Sequence, residues 1–336
     1  MNQKKITTAH GEIETPALLP VSAASYGIWD LWIDEKKFPA PWELAQGTIL
    51  SLYHILRYKR KDKIRKEGIH KVLKTKKPIF IDSGGFQYMK KNEELEQNFV
   101  LQYQEEAGCD IGVTFDYPIA PKLSRKEKER RMRKSVENSN LALTLKKNKK
   151  MMLYSAVHGH EPKDVKEYLR GLDEGFDGYA VGSLVPKRRD YETLAKVISA
   201  AKSEKPIHAF GITGFPALFA LSYMGVETFD SWTYVVAAAF KEYIHPETLK
   251  RVKLRDVEEL PECDCFICEK YGLKDFLEST SEAEILIALH NLSIFLREMR
   301  LIREKIGENE LEAHILERGE KNASIKRAFT IAKKYI

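Results

Sequence analysis

The sequence predicts an α/β fold, a (β/α)8 barrel, on the basis of three observations. Eight short apolar segments recur at 18–21, 48–52, 78–82, 110–116, 151–158, 178–183, 206–211 and 226–231. Amphipathic stretches typical of helices separate many of them, for example 93–107, 125–146, 162–171 and 191–202. Runs such as 79–81 and 111–115 look like buried parallel strands. Because eight such strands alternate with helices, a closed barrel is favoured over an open sheet.

The elements that are not simple strand–helix repeats lie at both ends of the predicted barrel. The segment 22–47, between the first two strands, is longer than an ordinary crossover and contains Trp29, Trp32 and Trp42. Core packing is the favoured interpretation of these tryptophans, with a nucleic-acid groove as the alternative. We expect residues 1–255 to form the catalytic barrel. Residues 256–336 should form a zinc-binding segment and a helical tail that packs on it.

Composition and charge limit the class of protein. A chain of 336 residues that is 43% hydrophobic can bury one large core. No apolar run reaches the length of a membrane span, nothing resembles a signal peptide, and the cysteine usage fits a reducing cytoplasm. The net charge of +6 permits a polyanionic partner without requiring one. Basic runs occur at 57–77, 122–133, 146–150 and 187–189. One run usually means a solvated helix face, whereas several around one domain favour a track for phosphates.

A cysteine cluster predicts a metal centre. Cys263, Cys265 and Cys268 lie within six residues, and His290 follows in a predicted helix. Three thiolates and one imidazole complete a tetrahedral shell for Zn²⁺ and leave no position for water, so we expect one structural zinc per chain. The alternative is three unpaired thiols and an unrelated histidine.

Polar residues follow the predicted strands at the end where barrel enzymes hold their catalytic groups. The candidate site residues are the polar Asp82, Ser83, Asp116, His158, Ser183 and Asp230, together with Gly84, Phe86 and Gly182. Phe86 is suited to stack on a flat ligand, and the alternative is a core phenylalanine in an ordinary turn. Two carboxylates across a pocket allow one to attack a sugar carbon while the other manages protons. A third can accept hydrogen bonds from a guanine-like base. For Asp82 and Asp230 the alternative is capping of the following helix.

Several motifs together point to a family. They are Thr8-Ala9-His10-Gly11, Glu14-Thr15-Pro16, Asp82-Ser83-Gly84-Gly85-Phe86-Gln87, the cysteine cluster, and Leu289-His290-Asn291-Leu292. With them, nearly the whole chain resembles the tRNA-guanine transglycosylase family. Residues 184–186, 229–231 and the helical tail resemble the archaeal, archaeosine-forming branch most. The resemblance implies a zinc-bearing TIM barrel and a pentosyltransferase that replaces guanine in a nucleic acid by a free 7-deazaguanine base.

The resemblance also implies individual roles. Asp230 would be the nucleophile that forms a covalent glycosyl-enzyme, and Asp82 the general acid and base. Asp116 would recognise the base edge, Phe86 would stack on the base, and the backbone around Gly182 would contact it. In the archaeal branch the incoming base is preQ0, and related members take part in queuosine formation. The residues alone do not decide which carboxylate is the nucleophile.

Three departures from the family bear on the polymer. His158 stands where the family usually has a glutamine, and Ser183 where bacterial members usually have a second glycine. The chain ends at Ile336, without the C-terminal RNA-binding domains of the archaeal enzymes. These departures slightly favour DNA as the substrate. The alternatives are an archaeal-type tRNA enzyme with a separate RNA-binding subunit, and a catalytically silent nucleic-acid-binding homologue. The resemblance also implies a homodimer formed through the zinc region.

Overall fold

The computed structural model describes residues 4–22, 31–35, 37–184, 187, 189–212 and 214–336. It begins with an antiparallel hairpin, β1 (Lys4–Thr8) and β2 (Gly11–Thr15). The eight parallel strands that follow are β3 (Ala17–Pro20), β4 (Thr48–Ser51), β5 (Ile79–Asp82), β6 (Ile111–Val113), β7 (Met152–His158), β8 (Gly178–Gly182), β9 (Ile207–Ala209) and β10 (Thr228–Ser231). They pair in the order β3-β10-β9-β8-β7-β6-β5-β4. A parallel bridge between Val21 and Ile49 joins the two end strands, which confirms the predicted barrel.

Helices connect the strands and cover their outer faces. They are α1 (Pro41–Leu44), α2 (Leu52–Ile55), α3 (Lys61–Glu67), α4 (Ile69–Leu73), α5 (Gly85–Lys91), α6 (Gln97–Ala107), α7 (Arg125–Leu145), α8 (Pro162–Arg170), α9 (Tyr191–Ala201), α10 (Phe215–Tyr223) and α11 (Thr233–Ala239). Local sequence sets several starts. Ser124 caps α7 by accepting the N–H of Glu127 at 3.3 Å, Pro162 opens α8, and Asp190 caps α9.

The remaining elements contain the cysteine segment and the helical tail. They are β11 (Glu242–Ile244), β12 (Arg251–Lys253), α12 (Leu273–Leu277), α13 (Ser281–Gly307), α14 (Leu311–Lys321) and α15 (Ala323–Ala332). Short helical turns lie at Leu31–Glu35, Leu254–Asp256 and Lys333–Tyr335. Phe295 on α13 and Ile325 on α15 belong to the same buried cluster as Leu18 and Phe219 of the barrel. The tail thus packs on the barrel, and a domain boundary at residue 255 stays a prediction.

Large aromatic side chains fill the barrel interior and pack the tryptophan segment into the core. Phe80 and Tyr154 are buried inside the ring, with their ring centroids 5.7 Å apart. Trp32 and Trp42 are also buried and meet edge to face at 5.8 Å, which confirms core packing for these two. Trp29 lies outside the described residues. Among the described residues, no helix is both long and apolar enough to cross a membrane.

The hairpin β1–β2 is attached to the end of the barrel opposite to the strand ends that hold the polar residues. The buried carboxylate of Asp110 accepts the backbone N–H groups of His10 and Ile79 at 3.0 and 2.9 Å. It also contacts the rings of His10 and His70 at 2.9 and 3.0 Å, and these rings stack on each other. Four hydrogen-bond partners satisfy this buried charge, so the cluster serves to hold the hairpin in place.

Candidate active site and metal centre

The carboxyl ends of the barrel strands surround a cavity of about 180 Å³. Eight of the nine predicted site residues line it, namely Asp82, Ser83, Phe86, Asp116, His158, Gly182, Ser183 and Asp230. Gly84, the ninth, donates its backbone N–H to Asp82. The cavity thus brings three carboxylates together, as the strand order predicts for residues at the same end of a parallel barrel.

Asp82 ends β5 and has an unusual electrostatic environment. Its Oδ1 accepts the N–H of Gly84 at 2.6 Å, and Gly84 has φ +77°, a conformation that favours glycine. Burial raises the pKa of Asp82 from 3.8 to about 7, and the negative charges of Asp230 and Asp116 act in the same direction. At neutral pH this carboxyl is therefore able both to donate and to accept a proton.

Asp230 lies on β10 and is held by neighbouring β9. Its Oδ1 accepts the N–H of Gly211 at 2.7 Å, and Nε2 of His208 lies 3.4 Å from the same oxygen. His208 is fully buried, and its Nδ1 is 3.0 Å from Oγ1 of Thr228. The sequence analysis did not identify His208 or Gly211. A histidine within the apolar strand 206–211 was the available signal.

Helix capping does not account for the two carboxylates. Asp230 bonds across to the loop after β9 rather than to the first turn of α11, where Ser231 accepts the N–H of Thr233. Asp82 bonds to Gly84, the residue before α5, and not to an N–H within that helix. Both side chains line the cavity instead.

Asp116 belongs to a chain of hydrogen bonds that crosses the cavity wall. Ser83 Oγ donates to its Oδ1 at 2.6 Å, and Nε2 of His158 lies 2.8 Å from its Oδ2. The other ring nitrogen of His158, Nδ1, is 3.0 Å from Oγ of Ser183, which accepts the N–H of Ile119. In the neutral form, Nε2–H donates to Asp116 and Nδ1 accepts from Ser183. Both ring nitrogens are thus occupied by protein groups.

Two glycines allow this wall to close. A Cβ at Gly182 would lie 2.6 Å from Cε1 of His158, and one at Gly85 would lie 2.4 Å from Oδ1 of Asp116. Both separations are shorter than van der Waals contact, so a side chain at either position would displace the hydrogen-bonded groups. The glycines therefore preserve the position of Asp116.

Phe86 is placed to contact a flat ligand. It lines the cavity yet is 39% exposed, which excludes an ordinary core phenylalanine. The ammonium of Lys90 lies 4.2 Å from the centre of its ring. An exposed aromatic face beside three carboxylates suits a base that carries N–H donors.

The cysteine cluster can hold a metal ion. The Sγ atoms of Cys263, Cys265 and Cys268 lie 3.8, 3.4 and 3.3 Å from Nδ1 of His290. Tetrahedral zinc with Zn–S of about 2.3 Å and Zn–N of about 2.0–2.1 Å needs N···S separations of roughly 3.6 Å. The four side chains therefore fit a Cys₃His zinc centre in both chemistry and spacing.

The imidazole of His290 is oriented by its surroundings. Its Nε2 lies 2.9 Å from the carbonyl oxygen of Ile244, so Nε2 carries the proton and Nδ1 faces the thiols with a free lone pair. The ring of Tyr243 stacks on it at 3.7 Å, and its hydroxyl lies 3.5 Å from Sγ of Cys268. This arrangement joins the cysteine segment to β11 and α13.

Comparison with known proteins agrees with this geometry. Residues 3–324 match the family model described as Queuine tRNA-ribosyltransferase. Proteins named tRNA-guanine(15) transglycosylase are 31% identical in Thermococcus kodakarensis, 33% in Archaeoglobus fulgidus and 29% in Methanocaldococcus jannaschii. The matches cover 97%, 91% and 97% of this chain, but 56%, 64% and 51% of those relatives. The chain thus spans little more than half the length of these curated relatives. Because the family model matches residues 3–324, nearly the whole chain, the protein belongs to the tRNA-guanine transglycosylase family.

Proposed function

We propose that the protein is an archaeal-type tRNA-guanine transglycosylase that replaces a guanine of tRNA by a 7-deazaguanine base. The observation that carries this proposal is the cavity in which Asp230 and Asp82 converge, the second with a pKa near 7. One carboxylate is thus available for attack and the other for proton transfer. The departures in sequence slightly favoured DNA as the polymer. The relatives, which are named as tRNA enzymes, favour tRNA instead.

The proposed reaction is a double displacement at one sugar carbon. The carboxylate of Asp230 attacks C1′ of the target nucleotide, and the bond from C1′ to N9 of guanine breaks. Protonated Asp82 gives its proton to the departing guanine. The incoming 7-deazaguanine then loses its N9 proton to Asp82, and its N9 attacks C1′ while the bond to Asp230 breaks. Because Asp82 donates and then accepts, a pKa near neutrality suits both halves.

Base recognition is assigned to Asp116, Phe86 and the backbone around Gly182. Each Asp116 oxygen has one protein donor and keeps a lone pair that can accept an N–H of the base. His158 uses both ring nitrogens within the protein, so we infer that it holds Asp116 in position rather than reading the base. Ser83 and Ser183 support the same chain of hydrogen bonds, and Gly84 holds Asp82.

The zinc, partners and location belong to the same proposal. We propose that Cys263, Cys265, Cys268 and His290 hold one structural Zn²⁺, supported by their spacing around Nδ1. Its contribution would be to fold the segment, because a Cys₃His shell leaves no site for substrate. Cytoplasmic location, supported by four cysteines that form no disulfide, is part of the proposal. A homodimer and a separate RNA-binding subunit stay predictions.

Base incorporation tests the function. The purified protein is incubated with radiolabelled preQ0 and either tRNA or double-stranded DNA, and label is counted in each polymer. We expect label in tRNA and none in DNA. Label in DNA alone would overturn the choice of polymer, and label in neither, with zinc bound and the fold intact, would contradict the proposed activity for this chain.

A further inference from the structure

An open groove of about 710 Å³ lies beside the catalytic cavity. Its walls come from the start of α7, the loop after β7, α8, α9 and Tyr335. Four lysines line it, Lys128, Lys166, Lys187 and Lys196, against one acidic residue, Glu161. The lining is therefore basic, which favours an anionic occupant.

The groove adjoins the catalytic cavity directly. Ala120 lines the cavity, and Pro121, the next residue, lines the groove. His160, in the groove wall, has its Nε2 3.1 Å from the carbonyl oxygen of Ser183, which lines the cavity. Since the partner is a carbonyl, Nε2–H is the donor. The groove and the cavity therefore lie side by side, separated by single residues of their shared wall. A ligand whose base fills the cavity can continue into the groove.

The four lysines differ in whether a protein carboxylate already neutralises their charge. Lys187 pairs with Asp190 at 3.1 Å and Lys196 with Glu192 at 2.8 Å. Within the part of the chain that the structure describes, no ion pair involves Lys128 or Lys166. These two ammonium groups are the ones that a phosphate could neutralise without displacing a protein carboxylate.

The other basic runs of the sequence differ from this groove. In the run at 57–77, Arg57 pairs with Glu93 and Arg65 with Glu106. In the run at 146–150, Lys149 and Lys150 are exposed in the turn before β7, at the opposite end of the barrel from the cavity. The groove combines two basic side chains for which no ion pair is observed among the described residues, Lys128 and Lys166, with direct contact to the cavity wall through His160 and Ser183.

Lys128 and Lys187 lie close enough to His160 to affect its pKa. Burial lowers this pKa, and the charges of Lys128 and Lys187 lower it as well. His160 is therefore neutral at physiological pH, and it keeps its hydrogen bond to Ser183 without adding charge of its own.

We propose that this groove binds the phosphodiester backbone next to the target nucleotide, with Lys128 and Lys166 neutralising phosphates. The inference rests on the proposed function and adds to it a path for the polymer. When the target base fills the cavity, its sugar lies at the cavity mouth, and the attached phosphates must cross an adjacent surface. The basic groove adjoins the cavity and has the matching charge. RNA and DNA share this chemistry, so the test includes both.

The test compares two double variants. Lys128→Ala/Lys166→Ala removes the two groove lysines without an observed ion pair, whereas Lys149→Ala/Lys150→Ala removes two exposed lysines at the far end of the barrel. The Michaelis constant for tRNA should rise about 10- to 30-fold at roughly 0.1 M salt in the groove variant, with a salt slope smaller by about 1.4. The Michaelis constant for preQ0 and kcat at saturating tRNA should not change. The control variant should match the wild type in all of these.

The possible outcomes distinguish failure of the groove proposal from failure of the proposed function. Wild-type Michaelis constants and salt slope in the groove variant, with exchange intact, would overturn the groove and leave the proposed function standing. If the wild type exchanges no base, the proposed function fails, and binding of fluorescent RNA and DNA oligonucleotides decides about the groove instead. Weaker binding of either polymer by the groove variant alone supports it. Equal binding by both variants overturns it.

Discussion

Asp82 connects activity and stability through one ionisation. Its carboxyl is neutral in the folded protein up to about pH 7, whereas its ordinary pKa is 3.8. The folded state therefore binds the proton more tightly, and this contribution to stability is lost as the pH rises from 3.8 through 7. Above pH 7 the charged carboxylate destabilises the fold, a cost that fits the proposed role of Asp82 as the acid and base of the reaction.

The variant Asp82→Asn should separate these effects. An amide cannot transfer the proton, so kcat for base exchange should fall by at least about 100-fold. At pH 8 the melting temperature should rise by about 2–5 °C, because the amide does not ionise, while at pH 4 the difference should be close to zero. Calorimetry at both pH values checks this. Equal stability changes at the two pH values would contradict the raised pKa.

His158 gives a second residue-scale prediction. His158→Leu removes the donor to Asp116 and should raise the Michaelis constant for preQ0 by about 10-fold, the free energy of one hydrogen bond to a charged group. His158→Gln keeps an N–H donor and should stay within a few-fold of the wild type. Steady-state kinetics with both variants decide the matter. If the leucine variant binds preQ0 normally, His158 does not position Asp116.

Among the secondary-structure elements, the proposed zinc site joins the cysteine loop to β11 and α13. Cys268→Ser should abolish stoichiometric zinc and lower the melting temperature by about 10 °C or more, because metal binding and folding of the segment are coupled. Cys109, which is buried and is not part of the cluster, provides the control, since Cys109→Ala should keep one zinc per chain. Metal analysis and thermal denaturation measure both. A wild-type melting temperature in zinc-free Cys268→Ser protein would exclude a structural metal.

Elements with strong periodicity could be predicted from the sequence, and weak ones could not. The stretch 125–146 was predicted as a helix and forms α7, Arg125–Leu145. The helix predicted at 93–107 begins only at Gln97, since Glu96 has extended backbone angles. The hairpin β1–β2 was missed because Ile6 is the only fully buried residue of its first strand, which leaves little alternation to detect.

At the scale of the whole molecule, the strand topology explains why the site was largely predictable. Parallel strands all end at the same side of the barrel, so polar residues at or just after the ends of β5, β6, β7, β8 and β10 had to converge. The partners across strands were not predictable. The contacts of His208 with Asp230, and of Ser183 with His158, depend on register and side-chain rotamer, which no local pattern encodes. Val185, Pro186 and Arg188, part of the resemblance and of one basic run, lie outside the described residues.

In the proposed reaction, Asp230 forms a covalent bond to the sugar of a tRNA nucleotide. The most direct measurement mixes the protein with labelled tRNA without free base, denatures it, and looks for label that migrates with the protein. We expect a tRNA–protein adduct with the wild type, its loss on addition of preQ0, and no adduct with Asp230→Asn. An adduct that persists in Asp230→Asn would contradict the assignment of the nucleophile.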